Sequence, residues 1–347
     1  MREAVGPGGY LGAVTLVARD GAIVEWSAWG HRDLDRKVPQ RRDDIFRIYS
    51  LTKTVATVAA LMLVEDGRLA LDDRIGRHLP GFGDRPVTLR HLLTHTSGLA
   101  LPSEAMEGAP DLAAYAALAA AAPAAADPGK SFEYNAANTE LASRIVEVAA
   151  GEPFDTFLAR RIFQPLGMRD TRFTVPERER SRIAAMTSTD ADGRLVDWPA
   201  IDARHPGDRL RRYTSGAGGL YSTAGDFARF CQMLAAGGVL EGKRLLSPAS
   251  VESMFTNQLT LLDPPASQYG EGFGFGGYVS LDDPKRARPG SPGAFGWSGA
   301  ASTYFVIDRR QQLVALLFMQ HIPQGLPRDP AKLSLRFYNR VYQSFVR

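Results

Sequence analysis

Ser50 and Lys53 lie three residues apart in Phe46-Arg47-Ile48-Tyr49-Ser50-Leu51-Thr52-Lys53. On a helix that spacing puts a hydroxyl and an amine on one face, about 5–6 Å apart at Cβ. The chemistry it offers is nucleophilic catalysis, with the lysine taking the serine proton once burial or a cationic neighbour favours the neutral amine. A surface Ser and Lys meeting by chance is the competing reading. Against it, no other Ser-x-x-Lys occurs in the chain, and an apolar helix rarely buries a lone lysine without a use for it. A nucleophile and base still need a proton relay and donors for an oxyanion. Tyr134, in Gly129-Lys130-Ser131-Phe132-Glu133-Tyr134-Asn135 just before a helix, is the relay candidate, because a phenol beside a cationic lysine can shuttle a proton; packing is its plainer role. Phe295-Gly296-Trp297-Ser298-Gly299-Ala300-Ala301 is rich in small residues, so a backbone N–H there can point at a substrate carbonyl. A Gly-rich turn into a hairpin explains the same residues. Gly296-Trp297-Ser298-Gly299 also half-imitates a nucleophile elbow, but Ala300 stands where the last Gly belongs and no strand–elbow–helix context surrounds it.

These residues must be held by elements that the pattern predicts. Tyr10 to Val17 and Ala22 to Trp29 read as a hairpin around Arg19-Asp20-Gly21. A helix carries Ser50 at its N-terminus, with Val55, Val58, Ala59, Met62 and Leu63 in helical period and Asp66-Gly67 as its end. Free N–H groups and the positive dipole end there favour developing negative charge. Further helices are expected over Val87 to Thr94, Asp111 to Ala122 (with Leu112, Tyr115 and Leu118 as its face), Leu141 to Ala150, Phe154 to Phe163 and Thr223 to Ala235. Leu69 to Asp73 and Leu79 to Phe82 read as loops. Gly272 to Val279, Thr303 to Ile307 and Leu313 to Phe318 read as strands, and Pro330 to Val346 as a terminal helix. Strands at both ends and helices between them give an α/β (α+β type) expectation: one antiparallel sheet formed by both chain ends and flanked by helices, plus a mostly helical lobe. The lobes are expected to be 1–66 with 215–347, and 67–214, with the site in the cleft between them.

Composition narrows the function classes. A net charge of +3 over 347 residues, with scattered arginines, does not suggest nucleic acid. The alternating run Glu177 to Arg182 reads as a solvated face. One cysteine, Cys231, on an amphipathic helix, rules out an internal disulfide framework and suggests buried filler. His91 and His95 have zinc-compatible spacing, but the Glu of a metalloprotease helix is missing between them and a structural role is expected. No dinucleotide or Walker fingerprint is present, so no cofactor and no metal are expected. No apolar run has membrane-spanning length and the start lacks a signal core, which as written reads as cytoplasmic, with a periplasmic or secreted location if a signal was trimmed.

Several ordered segments together carry a family resemblance. Phe46 to Lys53, Leu92-Leu93-Thr94-His95-Thr96-Ser97-Gly98-Leu99, Tyr134 with Ala137 to Leu141, Phe163 to Thr171 and Gly218 to Thr223 resemble motifs of the serine β-lactamase and penicillin-binding-protein superfamily. The class C-like branch is the nearest, and within it the family VIII carboxylesterases. The resemblance runs from Gly12 to the last helix. It implies Ser50 as acylated nucleophile, Lys53 as activating base, Tyr134 as acid/base for the leaving group, and the backbone N–H groups of Ser50 and Ala300 as oxyanion hole. Trp297, Ser298 and Gly299 then take the place of Lys-Thr-Gly, and with Asn135 would line the substrate site. Two departures stand out: Trp297 replaces the Lys-Thr-Gly lysine, and Tyr134-Asn135-Ala136 displaces the asparagine of Tyr-x-Asn. Both disfavour anionic β-lactams and D-Ala-D-Ala peptides and suit neutral esters.

The expectation is therefore a serine hydrolase cleaving carboxylic esters of short to medium acyl chain through a Ser50 acyl-enzyme. A small-molecule ester, lactam or amide is the expected partner, and oligomeric state is unspecified. The alternatives are a β-lactamase, a D-amino-acid peptidase or an acyltransferase of the same fold, or a non-catalytic binding module, which would have no need to keep Ser50, Lys53 and Tyr134 together.

Overall fold

The computed structural model describes every residue except 2, 7–8, 199–204, 263–269, 287 and 346–347. Two long strands, β1 (Gly12–Arg19) and β2 (Ala22–Gly30), form the opening hairpin. A short strand β3 (Phe46–Arg47) leads into α1 (Leu51–Glu65). The helices α2 (Leu89–Leu93), α3 (Leu112–Ala121) and α4 (Ala136–Ala150) follow. Strand β4 (Tyr221–Ser222) pairs with β3, and α5 (Ala224–Ala235) follows it. The chain closes with β5 (Glu271–Phe273), β6 (Tyr278–Ser280), β7 (Phe295–Gly299), β8 (Thr303–Asp308), β9 (Leu313–Phe318) and α6 (Leu333–Gln343).

The main sheet runs β2-β1-β9-β8-β7-β6-β5, with every neighbour antiparallel. The two ends of the chain thus share one sheet, joined where Val14 faces Phe318 and Arg19 faces Leu313. Period-2 alternation decides its packing. Val14, Leu16 and Ala18 with Val314, Leu316 and Phe318 face the large core shared with α1 and with Phe227 and Phe230 of α5. Ala13, Val17, Ala315 and Leu317 face Leu333, Phe337 and Val341 of α6. Covering both faces explains why all six residues of β9 are buried and apolar. Each large side chain so buried contributes about 1.5–3 kcal/mol.

Helix α1 is buried from Leu51 through Leu63, on all sides rather than along a stripe. It lies between the sheet and α4, with contacts to both α4 and β7, which is why its apolar residues exceed a single period.

Three expectations are corrected. Gly272 to Val279 is not one strand but β5 and β6, reversed through Gly274–Gly277, where the Gly274 N–H donates to the Gly277 carbonyl at 2.9 Å. Phe295 to Gly299 is a strand in the sheet, not a turn into one; its glycines hide the β pattern. On α3, Leu118 is exposed, and the buried face is Leu112, Tyr115, Ala116, Ala119 and Ala120. Glu177–Arg182 is a short 3-10 helix with no buried residue, in keeping with a solvated face, and its arginines are ion-paired: Arg180 with Asp208 and Arg182 with Asp170, both at 2.8 Å. Pro80–Phe82 likewise makes a 3-10 turn within the expected loop. Cys231 is buried and free. The last residue of the expected terminal helix, Val346, lies outside the described residues.

Candidate active site

Ser50 is the N-cap of α1, with φ −62° and ψ −10° and no side-chain cap bond, so its hydroxyl is not spent on the helix. The residue before it, Tyr49, is held at φ +44°, a sparsely populated conformation for a non-glycine residue. Both sides of this turn are pinned: the Ile48 N–H donates to the Leu220 carbonyl at 3.0 Å, and the Leu220 N–H to Thr52 Oγ1 at 3.2 Å. At the other side of α1, Thr54 Oγ1 donates to the Gly276 carbonyl at 2.7 Å, fixing the helix to the β5–β6 reversal.

Lys53 is only 4% exposed. Its Nζ is 3.4 Å from Ser50 Oγ and donates to the Ala217 carbonyl at 2.7 Å. The Tyr134 ring lies 4.9 Å from the same amine, so the three side chains named from sequence converge on one point.

Tyr134 is 37% exposed and projects from the segment leading into α4. Trp297 Nε1 donates to its hydroxyl at 3.1 Å, with ring centroids 5.0 Å apart. Trp297 is therefore more than an apolar replacement for lysine: it leaves the phenol oxygen with a neutral donor. Phe273 packs edge-on against Trp297 at 5.2 Å, and Phe132 packs against Phe273 at 5.1 Å. Together they make an aromatic wall behind Tyr134, whose ring lies against Lys53.

The end of β7 is brought to Ser50 by a close backbone approach. A Cβ on Gly299 would lie 2.4 Å from the Ile48 carbonyl oxygen and 2.2 Å from Thr303 Oγ1, so only glycine fits there. Thr303 Oγ1 donates to that same Ile48 carbonyl at 3.2 Å. Strand β6 pairs with β7 only at Phe295 and Gly296, leaving Trp297 to Gly299 with an open outer edge; Ser298 and Ala300 are exposed. Among the described residues neither the Ser50 nor the Ala300 N–H donates to a backbone carbonyl.

Asn135, expected to line the substrate site, has a second task. Its side chain is 2% exposed and faces inward: Nδ2 donates to the Leu99 and Ala100 carbonyls, each at 2.9 Å, and Oδ1 accepts from the Ala137 N–H. It caps α4 and ties down the 99–100 segment, with both Nδ2 hydrogens committed to those carbonyls. Asn138 is equally occupied, with Ser97 Oγ donating to its Oδ1.

Two residues in the site were not singled out for it by the sequence reading. His95, at φ +56°, is fully buried beneath Tyr134, with centroids 4.7 Å apart, and its Nδ1 accepts from the Asn135 N–H. Burial, and secondarily the Lys53 charge, push its pKa down to about 3, so it is neutral at ordinary pH. His91 instead caps its own helix, accepting from the Thr88 N–H at 3.1 Å, so the two histidines do not form a ligand pair. Glu140, on α4, is buried behind Lys53 and bonded to Ser215 and Gly216. Burial raises its pKa to about 7 against the opposing hydrogen bond from Ser215 and the Lys53 charge. The sequence pattern does not set Glu140 apart, because Arg144 and Glu147 are charged residues of the same helix. Starting that helix at Leu141 rather than Ala136 left Glu140 outside it.

The beta-lactamase family model matches residues 1–334. The chain is 34% identical to Protein Rv1367c of Mycobacterium tuberculosis over 93% of this chain and 89% of that one. It is 31% identical to Esterase EstB of Burkholderia gladioli, over 94% of this chain and 90% of that one. Among solved structures, EstCE1, described as a hydrolase with promiscuous acyltransferase activity, superposes with a TM-score of 0.82 at 26% identity, covering 98% of this chain and 96% of that one. On these matches the chain belongs to the beta-lactamase family.

Proposed function

We propose that this chain is a serine hydrolase that cleaves neutral carboxylic esters through an acyl-enzyme on Ser50. The observation that carries the reading is the convergence of Ser50 Oγ, Lys53 Nζ and the Tyr134 ring, with Trp297 donating to the Tyr134 hydroxyl. Lys53 takes the Ser50 proton as Oγ attacks the ester carbonyl, and the Ser50 and Ala300 N–H groups receive the oxyanion. Tyr134 delivers a proton to the departing alkoxide. Water then attacks the acyl-enzyme by the reverse relay and releases the acid. Substrate lies along Ser298 and Gly299, against the aromatic wall of Trp297. The lobes 1–66 with 215–347, and 67–214, supply opposite sides of the entrance.

Two further observations support an uncharged ester over a β-lactam. Trp297 puts an indole where a lysine would meet a carboxylate, and Asn135 is committed to its cap. Esterase EstB and EstCE1 are named for ester hydrolysis and hydrolase activity, in line with this reading. EstCE1's acyltransferase activity favours testing an alcohol as second acceptor. No helix among the described residues is long and apolar enough to cross a membrane.

The test compares p-nitrophenyl butyrate with a chromogenic cephalosporin, with and without added alcohol. Ester turnover well above cephalosporin turnover is expected. Efficient cephalosporin hydrolysis with poor ester turnover would overturn the ester assignment, and a new ester formed with the alcohol would add acyl transfer to it.

A further inference from the structure

We infer that Glu140 is a positioning residue for this reaction: it clamps the peptide whose Ala217 carbonyl holds the Lys53 amine, and it is that amine's buried counter-charge. The inference rests on the reading of Lys53 as the base.

The clamp is a continuous chain of contacts. Glu140 is 3% exposed. One carboxylate oxygen accepts from Ser215 Oγ and the other from the Gly216 N–H at 2.9 Å. The next residue, Ala217, accepts from Lys53 Nζ at 2.7 Å. The strap lies hard against α4: a Cβ on Gly216 would come within 1.9 Å of Ser143 Oγ, so the strap has little room to shift the carbonyl that orients Lys53. Ser143 is itself fixed by donating to the Thr139 carbonyl. Lys53 thus touches its nucleophile at 3.4 Å but is gripped from behind at 2.7 Å; its aim is set by the buried side.

The charge argument follows from burial. A buried carboxylate is tolerated when hydrogen-bonded and paired. The charged and titratable groups around Glu140 are Lys53 on α1, Tyr115 on α3, Tyr213, and the Glu107–Arg211 pair, joined at 3.1 Å. Arg211 has Glu107 as its partner, so Lys53 is the cation that answers Glu140.

Glutamine separates the two parts of the role. In Glu140→Gln the side-chain oxygen can accept from Gly216 and the NH2 can donate to Ser215 Oγ, keeping the clamp and removing the charge. In Ser215→Ala the charge stays and the clamp loosens. The experiment measures kcat and KM for p-nitrophenyl butyrate across pH in wild type and both variants, with thermal unfolding alongside. Glu140→Gln is expected to keep KM within about twofold and to lower kcat about tenfold. The acid limb of its kcat/KM profile should move to lower pH by about one unit or vanish. Ser215→Ala is expected to lower kcat several-fold with the limb in place. A Glu140→Gln profile that superimposes on wild type overturns the charge role, and wild-type kcat in Ser215→Ala overturns the clamp. Should Glu140→Gln fail to fold, Ser215→Ala decides alone. If wild type shows no turnover above Ser50→Ala, the Lys53 reading itself has failed and this inference falls with it; that outcome is distinct from active wild type with unchanged variants.

Discussion

The two sides of Lys53 differ in kind. Toward solvent stand Ser50, Tyr134 and Trp297, all partly exposed, joined by a 3.4 Å contact and a single hydrogen bond between aromatic side chains. Toward the interior stand the Ala217 carbonyl, Glu140 and His95, all buried and each engaged at normal hydrogen-bonding distance. The open side has room for a substrate carbonyl and can tighten around it. The closed side cannot move without leaving buried polar groups unpaired, at about 1–3 kcal/mol each. In the proposed mechanism, reactivity lies on the side that can adapt, and orientation on the side that cannot.

That contrast is broken most severely from the open side. Ser50→Ala should lower ester turnover by at least ~10⁴-fold, while the melting temperature stays near wild type because the hydroxyl caps nothing. Retained turnover in a colorimetric assay would remove the nucleophile from the account. Tyr134→Phe should cost ~10²-fold in kcat through loss of the relay, and a rate equal to wild type would leave Tyr134 a packing residue. Trp297 sharpens the comparison because it both walls the site and donates. Trp297→Phe, which keeps a ring but drops the donor, should slow kcat by up to ~10-fold, the net worth of one hydrogen bond. Trp297→Lys should raise the ratio of penicillin to ester turnover; an unchanged ratio would mean that this side chain does not face the acyl group.

The smallest effect comes from the closed side and appears in stability. Burial holds the folded-state pKa of His95 at about 3, against 6.5 when exposed. A depressed pKa means that the folded form resists protonation. The stability His95 contributes is full above pH 6.5 and is lost as pH falls toward 3. His95→Asn can still accept from the Asn135 N–H and tolerates a positive φ, so it should flatten part of the decline in urea midpoint over that window. An identical decline in both proteins would contradict the burial argument.

Legibility followed locality. Ser50 and Lys53 are three residues apart on one helix, so their spacing singled them out, whereas Tyr134, just before another helix, stood out only through the family resemblance. The sheet built from both chain ends was legible because β1 is a short, mostly apolar run ending at a turn signal and β9 is continuously apolar. Strand β7 was not, since Gly296 and Gly299 are there for backbone approaches made across the fold, such as Gly299 against Ile48. Asn135 was only half legible because its type suits both substrate binding and helix capping, and its bonds to residues 99 and 100 depend on the fold. Glu140 acts through a segment 75 residues away, a distance at which sequence pattern carries no signal.

Intact-mass spectrometry during turnover of p-nitrophenyl butyrate, with peptide mapping of the trapped species, tests the central claim most directly. The account predicts a butyryl adduct on the peptide carrying Ser50, absent from Ser50→Ala and longer-lived in Tyr134→Phe. Steady ester turnover with an adduct on another residue, or an unchanged adduct in Ser50→Ala, would contradict it.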